Sequence, residues 1–353
     1  MAPSERHITG PDTSRIGQLL DDALFILNTD IIITQVNPAA VRLFGENLVG
    51  AAVTDVLTVP NLDDDFASVL NSDRAVECIA GTQDKSMRQF RVRLRRIETG
   101  VIAMLLMDMT LQHNLEKVRR DFVANVSHEL RSPLTSLIGF VETMQTTDDL
   151  DQATRGRFLG IMEEEAKRMS RLINDLMSLS RVEVEEHIAP TDIVYIKSVI
   201  NSVVASMSNR AGKEGRSIMF RDTRNNPDDT TMILGETDEI MEVFHNLLDN
   251  AIKYSHQGTD IKVILSAEAE GELRFDVINI GDGIAEKHLG RLTERFYRVD
   301  KGRSRQMGGT GLGLAIVKHI VNRHRGRLGI TSKPMAETVF SITLPEYRKP
   351  DEI

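Results

Sequence analysis

The 353-residue chain is long enough for two or three domains, and its 41% hydrophobic and 27% charged residues are ordinary for a globular protein. A net charge of −9 argues against a general nucleic-acid binder, and the lone cysteine, Cys78, excludes an internal disulfide and any cysteine-based zinc cluster. The longest apolar runs, such as VIAMLLM at 101–107, are too short to cross a bilayer, and MAPSERHITG has no signal-peptide core, so a reducing cytoplasm without direct membrane insertion is expected.

After a polar tail at 1–14, residues 15–110 alternate short apolar runs with turn signals: ALFILNTD, IIITQVNPAA, LVGAAVTDVL, then FRVRLRRIETG and VIAMLLMD. The last two have the alternation and β-branched content of an antiparallel hairpin, with Glu98, Thr99 and Gly100 in its turn. With the DMT triplet at Asp108 to Thr110 leading into a helix, this region resembles a PAS sensor domain. It carries neither a flavin-adduct cysteine motif nor a haem-ligand pattern, and Cys78 reads as a small buried hydrophobe.

From Leu111 the apolar period becomes helical, through Leu115, Val118, Phe122, Val126, Leu130, Leu134, Leu137 and Val141. A second stripe follows through Phe158, Met162, Met169, Leu172, Leu176 and Leu179, with the polar turn TTDDLDQ between them. Residues 111–183 are therefore expected to form an antiparallel helical hairpin that pairs with a second copy into a four-helix bundle, since one hairpin alone has little core. Charged VEVEEHIAP ends in proline and supplies a linker at 184–190. Residues 191–347 then mix elements without strict alternation: a helix near 193–210, a strand at SIMF, a helix at 237–253, strands at IKVILSAE and ELRFDVIN, a glycine-rich loop, a helix from Leu312, and strands RLGITSK and TVFSITLP. That order predicts helices over one face of a mixed sheet, and a tail at 348–353 closes a multidomain α+β chain.

The first bundle helix contains NVSHELRSPLTSLIGF, where His128, Ser132 and Thr135 share the face opposite Val126 and Leu130. A lone exposed histidine is usually inert. Here Glu129 follows it directly, and Pro133 deprives the Glu129 carbonyl of its helical partner. A neutral imidazole offers one unprotonated nitrogen, and a carboxylate accepting from the other nitrogen would fix its tautomer and raise its nucleophilicity. Further on, HNLLDNAIKYS spaces Asn246, Asn250 and Lys253 so that two amides and an ammonium converge, and GGTGLGLAIVKHI sets Gly309, Gly311 and Gly313 just before a helix, where bare backbone can approach phosphates.

SHELRSPL resembles the H-box of sensor histidine kinases, HNLLDNAIKYS their N-box, RLTERFYRVD their F-box and GGTGLGLAIVKHI their G2 box, in the family's order across roughly 111–347. The resemblance implies an α/β-sandwich ATP-binding domain of the GHKL type behind a dimeric hairpin. It further implies that His128 is the phosphoacceptor, Glu129 its activating carboxylate and Ser132 the hydroxyl that orients water for phosphatase activity. By the same resemblance Asn250 coordinates Mg²⁺ with Asn246 in support, Lys253 and Tyr254 contact ATP, Phe296 packs under a lid, and Arg298, Gly309, Gly311, Leu312 and Gly313 meet the phosphates. The wording of the last third is similar to the PhoR-like phosphate-regulon branch of the family. This implies a homodimer, a PhoB-like response regulator receiver domain as partner, and phosphate-transport regulatory proteins as the source of any extracellular signal.

One box departs from the pattern. The G1 box usually reads DxGxGI, its aspartate accepting from the adenine amino group, whereas this chain reads NIGDGI, with Asn279 in that place and Gly281 and Gly283 retained. An amide still accepts, without charge assistance, a loss of about 1–2 kcal/mol or about ten- to thirtyfold in affinity. Asp276 is expected on the opposite strand face, and Asp282 is no evident substitute. The readings that follow are an active histidine kinase with weakened ATP binding and a kinase-impaired scaffold or phosphatase. An ATP-driven clamp is disfavoured, because Asn246 stands where such proteins carry a water-activating glutamate.

Overall fold

The computed structural model describes residues 17–348 apart from 18, 73, 83–87, 148, 225–230, 269–270 and 301–308. The tail at 1–14, residues 349–353 and the segment 301–308 between the F-box and the G2 box lie outside the described residues. The chain divides into two compact units, up to Ala124 and from Asn125.

The first unit contains β1 (Ala23–Leu27), β2 (Ile33–Val36), α1 (Pro38–Phe44), α2 (Val53–Val56), β3 (Leu57–Thr58), α3 (Leu62–Asn71), β4 (Val76–Thr82), β5 (Gln89–Glu98) and β6 (Val101–Asp108). Its six strands form one antiparallel sheet in the order β2-β1-β6-β5-β4-β3. Asn37 starts α1: its side-chain oxygen accepts from the Leu24 and Ala40 amides at 3.0 and 2.9 Å, and its amide donates to the Gly17 and Asp22 carbonyls, both at 2.9 Å. A buried amide with all these partners is satisfied, and Pro38 presets the first helical turn. Alternation in β5 buries Phe90, Val92 and Leu94 and exposes Arg91, Arg93 and Arg95. β5 runs on through Glu98, so the turn is the two residues Thr99 and Gly100, closed by the positive φ of Gly100, rather than the expected three. Cys78 packs against this core, and burial beside Asp65 pushes its thiol up to about 11.

Helix α4 (Thr110–Thr146) carries the chain into the second unit and is followed by α5 (Gln152–Glu185), whose N-terminus is capped by Asp151 accepting from the Thr154 amide at 2.8 Å. α4 continues through Pro133, which is buried. α5 reaches Glu185, two residues into the segment expected to be linker, because Glu183 and Glu185 are held by Arg295 and Arg323 from the C-terminal α/β region. Among the described residues no helix is long and apolar enough to cross a membrane.

The remainder comprises β7 (Ile193–Tyr195), α6 (Ile196–Lys213), β8 (Ser217–Asp222), β9 (Met232–Leu234), α7 (Thr237–Tyr254), β10 (Asp260–Ala267), β11 (Glu272–Ile280), α8 (Glu286–Leu289), α9 (Gly313–Arg323), β12 (Arg327–Ser332) and β13 (Glu337–Pro345). The helix expected from 193 begins as a strand: Ile193, Val194 and Tyr195 pair with β9, as suits a β-branched and aromatic triplet. The main sheet has the order β12-β13-β11-β10-β8, with β10 and β8 parallel and the other pairs antiparallel. α7 lies on it with Phe244 edge-on to Phe275 of β11 at 5.7 Å between ring centroids, and α6 and α9 pack beside α7. This is the expected mixed sheet with helices on one face.

Candidate functional site

His128, Ser132 and Thr135 are exposed on α4, while Val126 and Leu130 are half-buried, as the helical spacing predicts. No hydrogen bond to His128 is found among the described residues. Glu129 turns elsewhere: its Oε2 lies 3.0 Å from Arg168 Nη2 on α5 and 3.5 Å from Arg298 Nη2. Neighbouring helical residues project about 100° apart, so an adjacent carboxylate is poorly placed to bond the imidazole beside it. The Glu129 carboxylate instead joins the two hairpin helices and meets Arg298 of the F-box segment. Arg168 is a residue that the motif reading missed, since its partner lies 39 positions away.

The N-box lies on α7, which buries Leu247, Leu248 and Ala251 and leaves Asn246 and Asn250 half-buried on its other side. Asn246 donates to the Glu242 carbonyl at 3.1 Å, while the Asn250 amide has no hydrogen bond among the described residues. Lys253 pairs at 2.6 Å with Asp249, which also holds Arg210 at 2.6 Å, so its ammonium is engaged within α7 in this arrangement. Tyr254 at the helix end is exposed. The G2 loop meets the N-box at Gly313, where an added Cβ would fall 2.6 Å from Asn246 Oδ1. Gly309 and Gly311 are half-buried before it, and Leu312 is fully buried, anchoring the start of α9.

Asn279 is near the end of β11, on the buried face with Phe275 and Val277, and is only 3% exposed. Its amide has no hydrogen bond among the described residues. Asn279 is not among the fully buried polar groups left without a partner, so the small part of it that is exposed keeps its amide open to solvent and to a ligand entering there. Asp276 faces the other way, paired with Arg274 at 2.9 Å, and Asp282 is exposed beside His256 at 2.8 Å. Neither stands in for the missing G1 carboxylate. Opposite Asn279 across the sheet is the buried Thr338, whose hydroxyl lies 2.7 Å from that of half-buried Ser332, a polar pair that no motif announced. Gly281 closes against the end of α7, where a Cβ would fall 2.1 Å from the Tyr254 carbonyl oxygen, and Gly283 adopts φ +73° beside Lys333.

The F-box folds onto the G2 loop: the Phe296 amide donates to the Gly311 carbonyl at 2.8 Å, and a Cβ on Gly311 would come within 3.3 Å of Arg298 Nε. Arg298 is thus adjacent to both the glycine loop and Glu129, the residue next to His128. α5 adds further contacts. Thr310 donates to Asp175 at 2.6 Å, Ser178 to Glu242 at 2.7 Å, and Asn322 to Glu186 at 2.9 Å, while Arg295 pairs with Glu183 at 2.5 Å. Arg323 gathers Glu185 at 3.1 Å, Glu236 at 2.9 Å and Glu239, tying the end of α5 to α7 and α9. These partners were missed because each pairs polar residues more than sixty positions apart in sequence.

Two family patterns match the chain: the His Kinase A (phospho-acceptor) domain over residues 118–185, and the histidine kinase-, DNA gyrase B- and HSP90-like ATPase over residues 235–348. Over 327 residues the chain is 35% identical to the phosphate regulon sensor protein PhoR of Pseudomonas aeruginosa, covering 91% of this chain and 71% of that relative. The chain belongs to the sensor histidine kinase family. Within this family it is also 34% identical over 342 residues to the sensor protein kinase WalK of Staphylococcus haemolyticus, covering 92% of this chain. The chain spans about half the length, 55%, of that WalK relative. The histidine kinase ThkA, solved in complex with the response regulator protein TrrA, shares the fold at a TM-score of 0.52 and 22% identity, covering 96% of this chain and 99% of that one. The histidine kinase family match accounts for both halves of the site, a phospho-acceptor hairpin and an ATPase-type domain.

Proposed function

We propose that the chain is a cytoplasmic sensor kinase that phosphorylates its own His128 from ATP and passes the phosphoryl group to an aspartate of a response regulator. The observation that carries this reading is Arg298, which reaches the glycine loop on one side and Glu129, beside the exposed His128, on the other. An imidazole nitrogen lone pair attacks the γ-phosphorus, the bond to the β,γ-bridging oxygen breaks, and ADP leaves with the electron pair. In this reading Asn279 accepts from the adenine amino group at the floor of the cleft, and the amides of the Gly309–Gly313 loop face the phosphates. Arg298 offsets the charge that develops during transfer.

The donor set also fits Mg²⁺. Asn250 supplies a hard amide oxygen without an internal partner, and a magnesium ion held by one or two protein ligands takes its other ligands from phosphate and water. Bound there, it would neutralise the polyphosphate; Asn246 supports Asn250 one turn away, and Lys253 and Tyr254 flank the site.

A homodimer follows from the apolar residues that the single hairpin leaves uncovered, including Val118, Leu134 and Ile138 on α4 and Ile173 and Met177 on α5. For residues 15–110 the antiparallel sheet with helices between β2 and β4 supports the PAS-like sensor reading. The PhoR relative supports a role in phosphate-starvation signalling, with a PhoB-like regulator and phosphate-transport regulatory proteins as partners. Ser132, one turn beyond His128 and exposed, is the hydroxyl that would orient water for phosphatase activity.

Asn279 favours a second reading, a scaffold or phosphatase with impaired kinase activity. Purified protein incubated with Mg²⁺ and γ-labelled ATP separates the two. Acid-labile label lost in His128→Gln is expected of the kinase, with Asn279→Asp raising apparent ATP affinity by about ten- to thirtyfold. Label only in Asn279→Asp supports the scaffold, and label in neither chain sinks both assignments of the cleft.

A further inference from the structure

In this arrangement α5 places a carboxylate at the nucleotide loop. Asp175 Oδ2 accepts from the Thr310 hydroxyl at 2.6 Å, and the same hydroxyl oxygen accepts from the Leu312 amide at 3.3 Å. Thr310 lies between Gly309 and Gly311, so the acid acts directly on the loop that opens α9. One turn along α5, Ser178 donates to Glu242 of α7 at 2.7 Å, a residue one turn before Asn246. Burial pushes both carboxyls above their usual range; at Asp175 the Thr310 bond and Lys253 oppose the rise, and Asp249 adds to it. Asp175 thus sits close enough to raise Glu242 beside the loop whose amides would receive a polyphosphate, while the neighbouring Asp249 is offset by Lys253 and Arg210.

We infer that Asp175 is a positioning residue through which docking of α5 opposes nucleotide binding, its carboxylate competing with the phosphates for the Thr310 loop. The inference rests on the nucleotide reading given above and adds to it a route of control. By thermodynamic reciprocity, whatever draws α5 away from the loop raises nucleotide affinity, and bound nucleotide in turn loosens α5. A shift of the hairpin helices then sets how readily the cleft fills. Plain packing is the competing explanation. It is separable because asparagine keeps the shape and the acceptor oxygen while removing the charge.

The test titrates a fluorescent ATP analogue with Mg²⁺ into the full chain, Asp175→Asn and Asp175→Ala. Asp175→Asn is expected to bind about tenfold more tightly, the order of effect of removing one charge from the neighbourhood of a polyphosphate. Asp175→Ala should bind at least as tightly as the asparagine variant. Unchanged or weaker binding by both variants overturns the inference. Absence of binding by all three proteins instead overturns the nucleotide reading on which it rests. Hydrogen exchange supplies a second readout: saturating nucleotide should raise exchange over residues 170–186 of the original chain, and unaltered exchange there would count against the proposed coupling.

Discussion

The hairpin and the nucleotide domain solve burial in opposite ways. α4 has 37 residues and Pro133 is the buried one, whereas eight of the 18 residues of α7 are buried. The nucleotide domain completes its core within one chain, with Phe244, Phe275, Ile316 and Ile320 almost wholly removed from water. The hairpin does not, and its apolar stripe remains largely open in the single chain. On the proposed reading a phosphoacceptor visits both a nucleotide and a receiver domain, and the exposed His128 ring on an incompletely covered stem suits that role. A cleft that must exclude water suits a self-contained core.

The largest expected effect breaks the comparison at the stem. Ile138→Glu with Ile173→Glu places two charges on the open stripe, and sedimentation should show dissociation to monomers while the nucleotide domain keeps its melting transition. A variant that stays dimeric would place the dimer contact elsewhere. Next in size is Gly281→Ala, whose new Cβ would lie 2.1 Å from the Tyr254 carbonyl oxygen. Overpacking of this kind costs about 1–3 kcal/mol, so denaturant midpoints should fall for the nucleotide domain while the hairpin dimer persists. The smallest effect sharpens the contrast through pH. His324 is buried, donating from Nδ1 to the Ile320 carbonyl at 2.8 Å and accepting at Nε2 from the Glu236 amide at 3.2 Å. Burial holds its pKa below the ordinary histidine range, and His245 shifts the same way for the same reason. The neutral ring's contribution is complete above about pH 6.5 and declines below it, because the unfolded chain then takes up a proton that the folded chain resists. Thermal melts from pH 7.5 to 5.5 should show the nucleotide domain weakening on acidification, less so in His324→Gln. An undiminished slope in that variant would assign the effect to other groups.

Much of the molecule was legible because local chemistry and periodicity carry it. The exposed face of His128, the inward Asn279 against the outward Asp276, and the glycines beside α7 and α9 all follow from spacing and from backbone that admits no Cβ. Local signals failed where pairing overrode them. Ile193 to Tyr195 read as helix because their pairing partner, β9, lies some forty residues downstream, and the final turn of α5 read as linker because its glutamates find their arginines only after folding.

The amino-acid order alone determined most of the element types, the motif order and the chemical character of each site residue, since these depend on neighbours within one or two helical turns. Tertiary structure alone decided that Glu129 turns to Arg168 and Arg298, that Lys253 is engaged by Asp249, and that Asp175 reaches Thr310. Asp175 and Thr310 stand 135 positions apart, and no periodicity reaches that far. Side chains so distant in sequence meet through the packing of whole helices, and the balance of charge in the cleft is set by that packing.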